Sequence, residues 1–277
     1  MLEQICANII EEKKKLGITN DVIRNLLKEA LQYYVLDFIY NSSYGRKLIF
    51  TGGSSLRICY GLNRISEDLD LDLARDTHVN KEHLADDITD HFKKKLQYAK
   101  IECSIRGKGE KIYLKFPLLH ELGISKKTES EKLYVKIEIA ENISSYYQSE
   151  YIPISRFNLN FLVNVYTIET LMASKIIAIV KRSFKKGKGD AIIFKGRDYY
   201  DLMWFLQNSH SPDMKRIQDV LHVNTIEKIN AMLWEKIKAL SLSYLKEDLL
   251  PLFENHRFID NYCKHYKDIA KKYLKIL

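Results

Sequence analysis

The sequence predicts an α/β protein: N-terminal helices and a mixed sheet over residues 1–155, followed by a helical domain over 156–277. Three patterns carry this. LDLDLA (69–74) alternates apolar and acidic residues with the period of a strand. KIYLKFPLL (111–119) and LYVKIEIAEN (133–142) repeat that period. TIETLMASKIIAIVKRSF and RDYYDLMWFLQN instead space their apolar residues three and four apart, as one face of a helix does.

Taken in order, LEQICANIIEEKKKLG reads as a helix ending at Gly17. Asn20 or Asp21 then caps DVIRNLLKEALQYYVLDFIYNS, whose Val22, Leu26, Ala30, Tyr33 and Phe38 keep helical spacing. KLIFTGG is a strand running into a glycine turn, and SSLRICYGL is a short helix leading to the acidic strand. VNKEHLADDITDHFKKKLQY is helical, and IECSIRG, KIYLKFPLL and LYVKIEIAEN are strands. From about residue 156 the pattern is mostly helical to the end, with the domain boundary near 150–165. There are no internal repeats.

The bulk properties narrow the function. The chain of 277 residues is 46% apolar, enough for a sizeable core. Its four cysteines lack metal-like spacing and read as reduced thiols. No apolar run is long enough to span a membrane or resembles a signal peptide, so a cytoplasmic protein without membrane attachment is expected. A net charge of +8 favours a polyanionic partner, nucleic acid foremost. The lysines at 93–95 and in the tail are more simply solvated helix faces.

The chemistry concentrates in TGGSSLRICYGLNRISEDLDLDL (51–73). On a strand, Asp68, Asp70 and Asp72 project from one face while Leu69, Leu71 and Leu73 turn to the core. The aspartates either face water or share a cation. Alternate residues stand about 6–7 Å apart at Cα, so two carboxylates can converge on one or two Mg²⁺ ions. Such ions neutralise phosphate oxygens as a nucleotidyl group moves. Upstream, Gly52 and Gly53 let backbone approach a phosphate, and Ser54 opens a helix whose first amides attract anions. There is no GxxxxGK[ST] loop, GxSxG elbow or HExxH pair, and His83 and His91 lack a third ligand.

The segment GGSSLRICYGLNRISEDLDLDL resembles the signature of nucleotidyltransferases with a DNA polymerase β-like catalytic core. Its LR…YG…R.SEDLD filling is similar to that of the AbiEii/AbiGii toxin family, which contains the mycobacterial MenT toxins. The similarity runs from NLLKEALQYYVLDFIY through RDYYDLMWFL. It implies that Asp68 and Asp70 bind Mg²⁺ or Mn²⁺, and that Gly52, Gly53 and Ser54 hold the triphosphate. Asp72 extends the row beyond the family pattern and is expected at its rim. Arg64 either reaches a phosphate or pairs with Glu67 or a nearby carboxylate.

A core of this kind takes a third carboxylate from a neighbouring strand, as a base or to complete a metal site. By alternation Glu138 is the candidate, sharing its face with Lys136; the alternative is a cross-strand pair between Glu138 and a lysine. Thr167 can cap the helix that carries Lys175, and Lys175 falls on that helix's apolar stripe with Ile168, Leu171, Met172, Ile176 and Ile179. It must snorkel out or meet a buried anion. The family's lysine-bearing helix matches SKIIAIVKR, which assigns Lys175 to the nucleotide phosphates with Arg182 in support. Asp198 alone could be an N-cap. The match of RDYYD to the family's arginine–aspartate motif puts Asp198 in the active site, orienting Lys175 or the acceptor, with Asp201 supporting the helix or Arg182. Arg197 stands where the family often has lysine. The basic loop SFKKGKGDAIIFKG is expected to contact RNA or triphosphate.

The resemblance thus implies a metal-dependent nucleotidyltransferase toxin of a toxin–antitoxin or abortive phage infection system. Its substrate would be an NTP, its acceptor RNA, with tRNA 3′ ends foremost, and its partner a cognate antitoxin encoded nearby. The alternatives are transfer to a small molecule such as an aminoglycoside, and a catalytically inactive nucleotide- or RNA-binding module.

Overall fold

A computed structural model describes residues 2–107, 111–182 and 194–275. The chain divides into two compact units. One comprises Met1–Asn142 with Glu150–Val165, the other Ile143–Ser149 with Tyr166–Leu277.

The first unit is built on a mixed seven-stranded sheet. Its strands are β1 (Leu48–Thr51), β2 (Asp68–Leu73), β3 (Glu102–Arg106), β4 (Lys111–Pro117), β5 (Lys132–Ala140), β6 (Ser149–Arg156) and β7 (Leu159–Tyr166). They lie in the order β3-β4-β5-β2-β1-β7-β6. β2 runs antiparallel to β1 and parallel to β5, so the acidic strand is central. Alternation decides the two faces. Leu69, Leu71, Ile112, Leu114, Phe116, Val135 and Ile137 are buried. They share one core with helices α1 (Leu2–Lys15), α2 (Asn20–Tyr40) and α4 (Lys81–Lys94). On α4 the buried stripe is Leu84, Ile88 and Phe92, four residues apart, and the Phe92 ring meets Phe116 edge-on at 5.2 Å. Burying each such side chain contributes about 1.5–3 kcal/mol. The opposite face carries the half-buried Asp68, Asp70, Asp72, Lys136 and Glu138.

β6 and β7 correct the sequence reading, which expected mostly helix from residue 156. Leu159, Phe161, Val163 and Val165 alternate with strand period, and Val165 pairs in parallel with Phe50 of β1. Pro153 lies in β6 at the edge of the sheet, the place where a strand tolerates proline.

The second unit is helical: α5 (Ile168–Lys181), α6 (Gly196–Gln207), α7 (Met214–Leu221), α8 (Ile226–Lys238), α9 (Leu242–Leu249) and α10 (His256–Tyr273). Thr167 is the N-cap residue of α5 by position, but its side chain makes no cap bond. Buried Arg216 of α7 donates to Ser174 Oγ at 3.0 Å and to the Tyr146 carbonyl at 2.9 Å. That arginine, with a bond from Ser144 to Asp219, ties residues 143–149 to this unit. Among the described residues no helix is long and apolar enough to cross a membrane.

Candidate active site

In the first unit, strand register brings the predicted carboxylates into rows across the open face of the sheet. Thr51, Asp70, Glu138 and Lys111 stand opposite one another on β1, β2, β5 and β4. In the adjacent row Asp68 stands opposite Lys136. Asp72 faces Ile49 and Ala140, neighbours without charge. The Lys136 ammonium lies 2.8 Å from Asp68 Oδ2 and 2.8 Å from Glu138 Oε1. Lys111 approaches the same Glu138 oxygen at 3.2 Å. Burial pushes the Glu138 carboxyl up, but hydrogen bonds and charge from Lys136 and then Lys111 outweigh it and hold the group below its ordinary range. Burial works against the Lys136 charge, yet its bonds to Asp68 and Glu138 leave its pKa raised. Glu138 is therefore an ionised acceptor held by two lysines, one from its own strand and one across. The expected cross-strand pair exists, and Lys136 adds a partner that alternation alone had only set on the same face.

The glycine turn is built against this row. β1 passes directly into helix α3 (Gly52–Tyr60), whose N-cap residue Thr51 makes no side-chain bond to the helix's first amides. Gly52 has φ +76°, and a Cβ there would run into the Asp70 carboxylate, with Asp70 Cβ and Cγ each at 2.9 Å. A Cβ on Gly53 would meet the Arg64 guanidinium and, at 2.9 Å, Ser66 Oγ. Arg64 is only 1% exposed and donates to the Ile65 carbonyl at 3.1 Å, so it forms the floor beneath Gly53. Glu67 pairs with Lys28 at 3.3 Å. The buried Ser54 hydroxyl donates to the Asp68 carbonyl, fastening α3 to the acidic strand. Replacing Gly52 by alanine is expected to cost more stability than the same change at Gly61. Gly61 is also left-handed, at φ +77°, but has open space around it. Gly61→Ala should cost about 1–2 kcal/mol of backbone strain. The excess seen for Gly52→Ala in urea unfolding measures the contact with Asp70.

The residues suit a hard divalent ion. Asp68 and Asp70 offer oxygen donors only, on one face, and the Asp70 carboxylate fills the space a side chain at position 52 would need. Among the described residues no three His, Cys, Asp or Glu side chains are grouped to enclose a metal. Mg²⁺ takes one or two carboxylates and completes its shell with waters and phosphate oxygens.

In the second unit the predicted Lys175, Arg182 and Asp198 come together with Asp201. Lys175 Nζ lies 2.8 Å from Asp198 Oδ1 and 2.8 Å from Asp201 Oδ2, and Arg182 pairs with Asp198. Of the two expected fates for Lys175, the buried-anion one holds: the Asp201 side chain is 0% and that of Asp198 7% exposed. Asp198 is not the N-cap of α6; Lys195 is, and Asp198 stands in the first turn, where a negative charge is favourable. Asp198 and Asp201, one turn apart, present both carboxylates to one ammonium. Asp201 was expected to support the helix or Arg182; the structure shows it holding Lys175. The basic loop at 183–193 lies outside the described residues.

The fold has counterparts among known proteins. MenT4, a nucleotidyltransferase toxin from Mycobacterium tuberculosis H37Rv, superposes with a TM-score of 0.56 at 14% identity, over 96% of this chain and 89% of that one. JHP933 from Helicobacter pylori gives a TM-score of 0.50 at 15% identity, over 91% and 92%. At such identities the likeness is one of fold. No curated protein matches the chain in sequence. The family model described as nucleotidyl transferase AbiEii toxin, type IV toxin–antitoxin system, matches residues 35–273 and so spans the acidic strand, the Lys175 helix and the RDYYD helix. With most of its length under that one model, the chain belongs to the AbiEii family of nucleotidyltransferase toxins.

Proposed function

We propose that the protein transfers a nucleoside monophosphate from an NTP to an RNA acceptor, with tRNA 3′ ends foremost, in a toxin–antitoxin or phage-defence setting restrained by an antitoxin encoded beside it. The observation that carries this is the seating of Asp70 over Gly52, beside Asp68 and opposite Glu138, where strand β1 opens into helix α3. The acceptor hydroxyl oxygen bonds to the α-phosphorus, the bond to the bridging oxygen breaks, pyrophosphate leaves, and the hydroxyl proton passes to water. Asp68 and Asp70 would hold a Mg²⁺ or Mn²⁺ ion, which would supply positive charge for the phosphate oxygens. Gly52, Gly53 and Ser54 contribute backbone amides at the helix start, with Arg64 beneath them. Glu138 orients Lys136 and Lys111. Lys175 and Arg182 neutralise phosphate charge, and Asp198 and Asp201 fix Lys175. The net charge of +8 favours a polyanionic acceptor over a cationic antibiotic.

The test is incubation of the purified protein with each labelled NTP, Mg²⁺, and either total tRNA or an aminoglycoside, with Asp68→Ala in parallel. Label entering RNA and disappearing in the variant is expected. Label on the aminoglycoside would move the acceptor to a small molecule, and tight NTP binding without transfer would leave a binding module. Growth arrest on expression, relieved by Asp68→Ala, checks the toxin role in cells.

A further inference from the structure

A lysine is lodged among the carboxylates of the acidic strand and its neighbour. Two-metal phosphoryl-transfer sites set a pair of cations about 3.5–4 Å apart among shared carboxylates. Here a cation of the protein already sits among them. Lys136 Nζ is 2.8 Å from both Asp68 Oδ2 and Glu138 Oε1, hydrogen-bond distances to carboxylates on two neighbouring strands. The position is built in. Lys136 is opposite Asp68 in the β2–β5 register, and Glu138 lies two residues along the same strand on the same face. The side chain is 22% exposed, against 27% and 33% for its two partners, so the charges meet half-buried on the face of the sheet. Lys111, 3.2 Å from the same Glu138 oxygen, adds a second positive charge on that side. Asp70 lies on the other side, over Gly52.

We propose that the Lys136 ammonium is a permanent substitute for the second divalent ion, so that the protein binds one ion, through Asp68 and Asp70, and uses Lys136 as its other cation. This rests on the assignment of Asp68 and Asp70 as metal ligands. A second ion between Asp68 and Glu138 would have to displace an ammonium with two charge-assisted hydrogen bonds. It would also approach within a few ångströms of that like charge. Removing the ammonium leaves two carboxylates, Asp68 and Glu138, that had each been 2.8 Å from it, with Lys111 beside Glu138 alone, and a divalent ion can take its place between them.

The experiment is a Mn²⁺ titration of the full chain, with free Mn²⁺ read by electron paramagnetic resonance, on the parent, Lys136→Met, Lys136→Arg and Asp70→Asn. The parent and Lys136→Arg are expected to saturate at one ion per chain and Lys136→Met at two. Asp70→Asn should bind none, or its single ion at least tenfold more weakly. Thermal unfolding in chelator establishes that each variant folds. Lys136→Met should melt lower than the parent there, and added Mn²⁺ should restore more of its melting temperature than it adds to the parent. Two ions in the parent, or one in Lys136→Met, overturn the role of Lys136 and leave the metal assignment standing. No ion in the parent, or binding indifferent to Asp70→Asn, overturns the metal assignment and the inference with it.

Discussion

Asp70→Asn should reduce nucleotide transfer by about 10³-fold or more while leaving the melting temperature of the metal-free protein within about 2 °C of the parent. The reason lies in the row Thr51–Asp70–Glu138–Lys111, with Asp68 and Lys136 beside it. Asparagine has the shape of aspartate, so it can rest over Gly52, where Asp70 Cβ and Cγ lie 2.9 Å from the position of an added Cβ. It removes one negative charge from a face that also carries Asp68 and Glu138, which relieves repulsion and offsets lost attraction. What it cannot replace is an anionic oxygen for a divalent ion. Charge stabilisation of that kind is worth several kcal/mol in a phosphoryl-transfer step, and each 1.36 kcal/mol is tenfold in rate. Asp72→Asn, in the same strand but opposite Ile49 and Ala140, should retain transfer within about threefold, a change of well under 1 kcal/mol. Equal losses at positions 70 and 72 would remove the distinction drawn between them. Transfer rates and thermal melts on the same preparations decide it.

The contrast between Asp70 and Asp72 also marks where the sequence stops being informative. Alternation in LDLDL and KLYVKIEIA is local, and it suffices to predict two strands and to put Asp68, Asp70 and Glu138 on polar faces. Which carboxylate stands beside which depends on strand order and register, and β2 (Asp68–Leu73) pairs with β5 (Lys132–Ala140) across the whole of residues 74–131. No local period encodes that. The lodging of Lys136 between Asp68 and Glu138 is a consequence of the same non-local register, although its place on the face of Glu138 was legible. Arg64 and Ser54 show another limit. Their residue types suited phosphate contact, but their side chains are buried and bond to the Ile65 and Asp68 carbonyls, which only burial could reveal. β7 was within reach: Leu159, Phe161, Val163 and Val165 alternate, but the helical signal that follows drew the boundary too early. In the second unit, helical spacing was enough to align Asp198 with Asp201, and the burial of both explains why a lysine belongs on an apolar stripe.

That burial makes Lys175→Met the most destabilising single change expected among the candidate residues. The substitution keeps most of the side-chain volume but leaves Asp198 and Asp201, 7% and 0% exposed at their side chains, with Arg182 as the remaining cation of the quartet. Removing one partner of a buried ion pair costs about 3–5 kcal/mol, because an uncompensated charge is left behind. Loss of transfer in this variant would therefore be ambiguous between a phosphate-binding lysine and a merely structural one. The double variant Lys175→Met/Asp201→Leu separates them. It removes the second carboxylate that Lys175 holds, retains the Arg182–Asp198 pair, and keeps the remaining pair neutral, and apolar replacement of buried charges of similar volume is commonly neutral or stabilising. Urea unfolding should bring the double variant to within about 1–2 kcal/mol of the parent, well above Lys175→Met alone. If Lys175 neutralises phosphate charge, transfer stays at least 10²-fold down in the double variant despite its recovered fold, a deficit of about 2.7 kcal/mol in the transition state. If transfer returns with stability, Lys175 serves only to balance Asp198 and Asp201, and the phosphate-binding role passes to other cations of the chain.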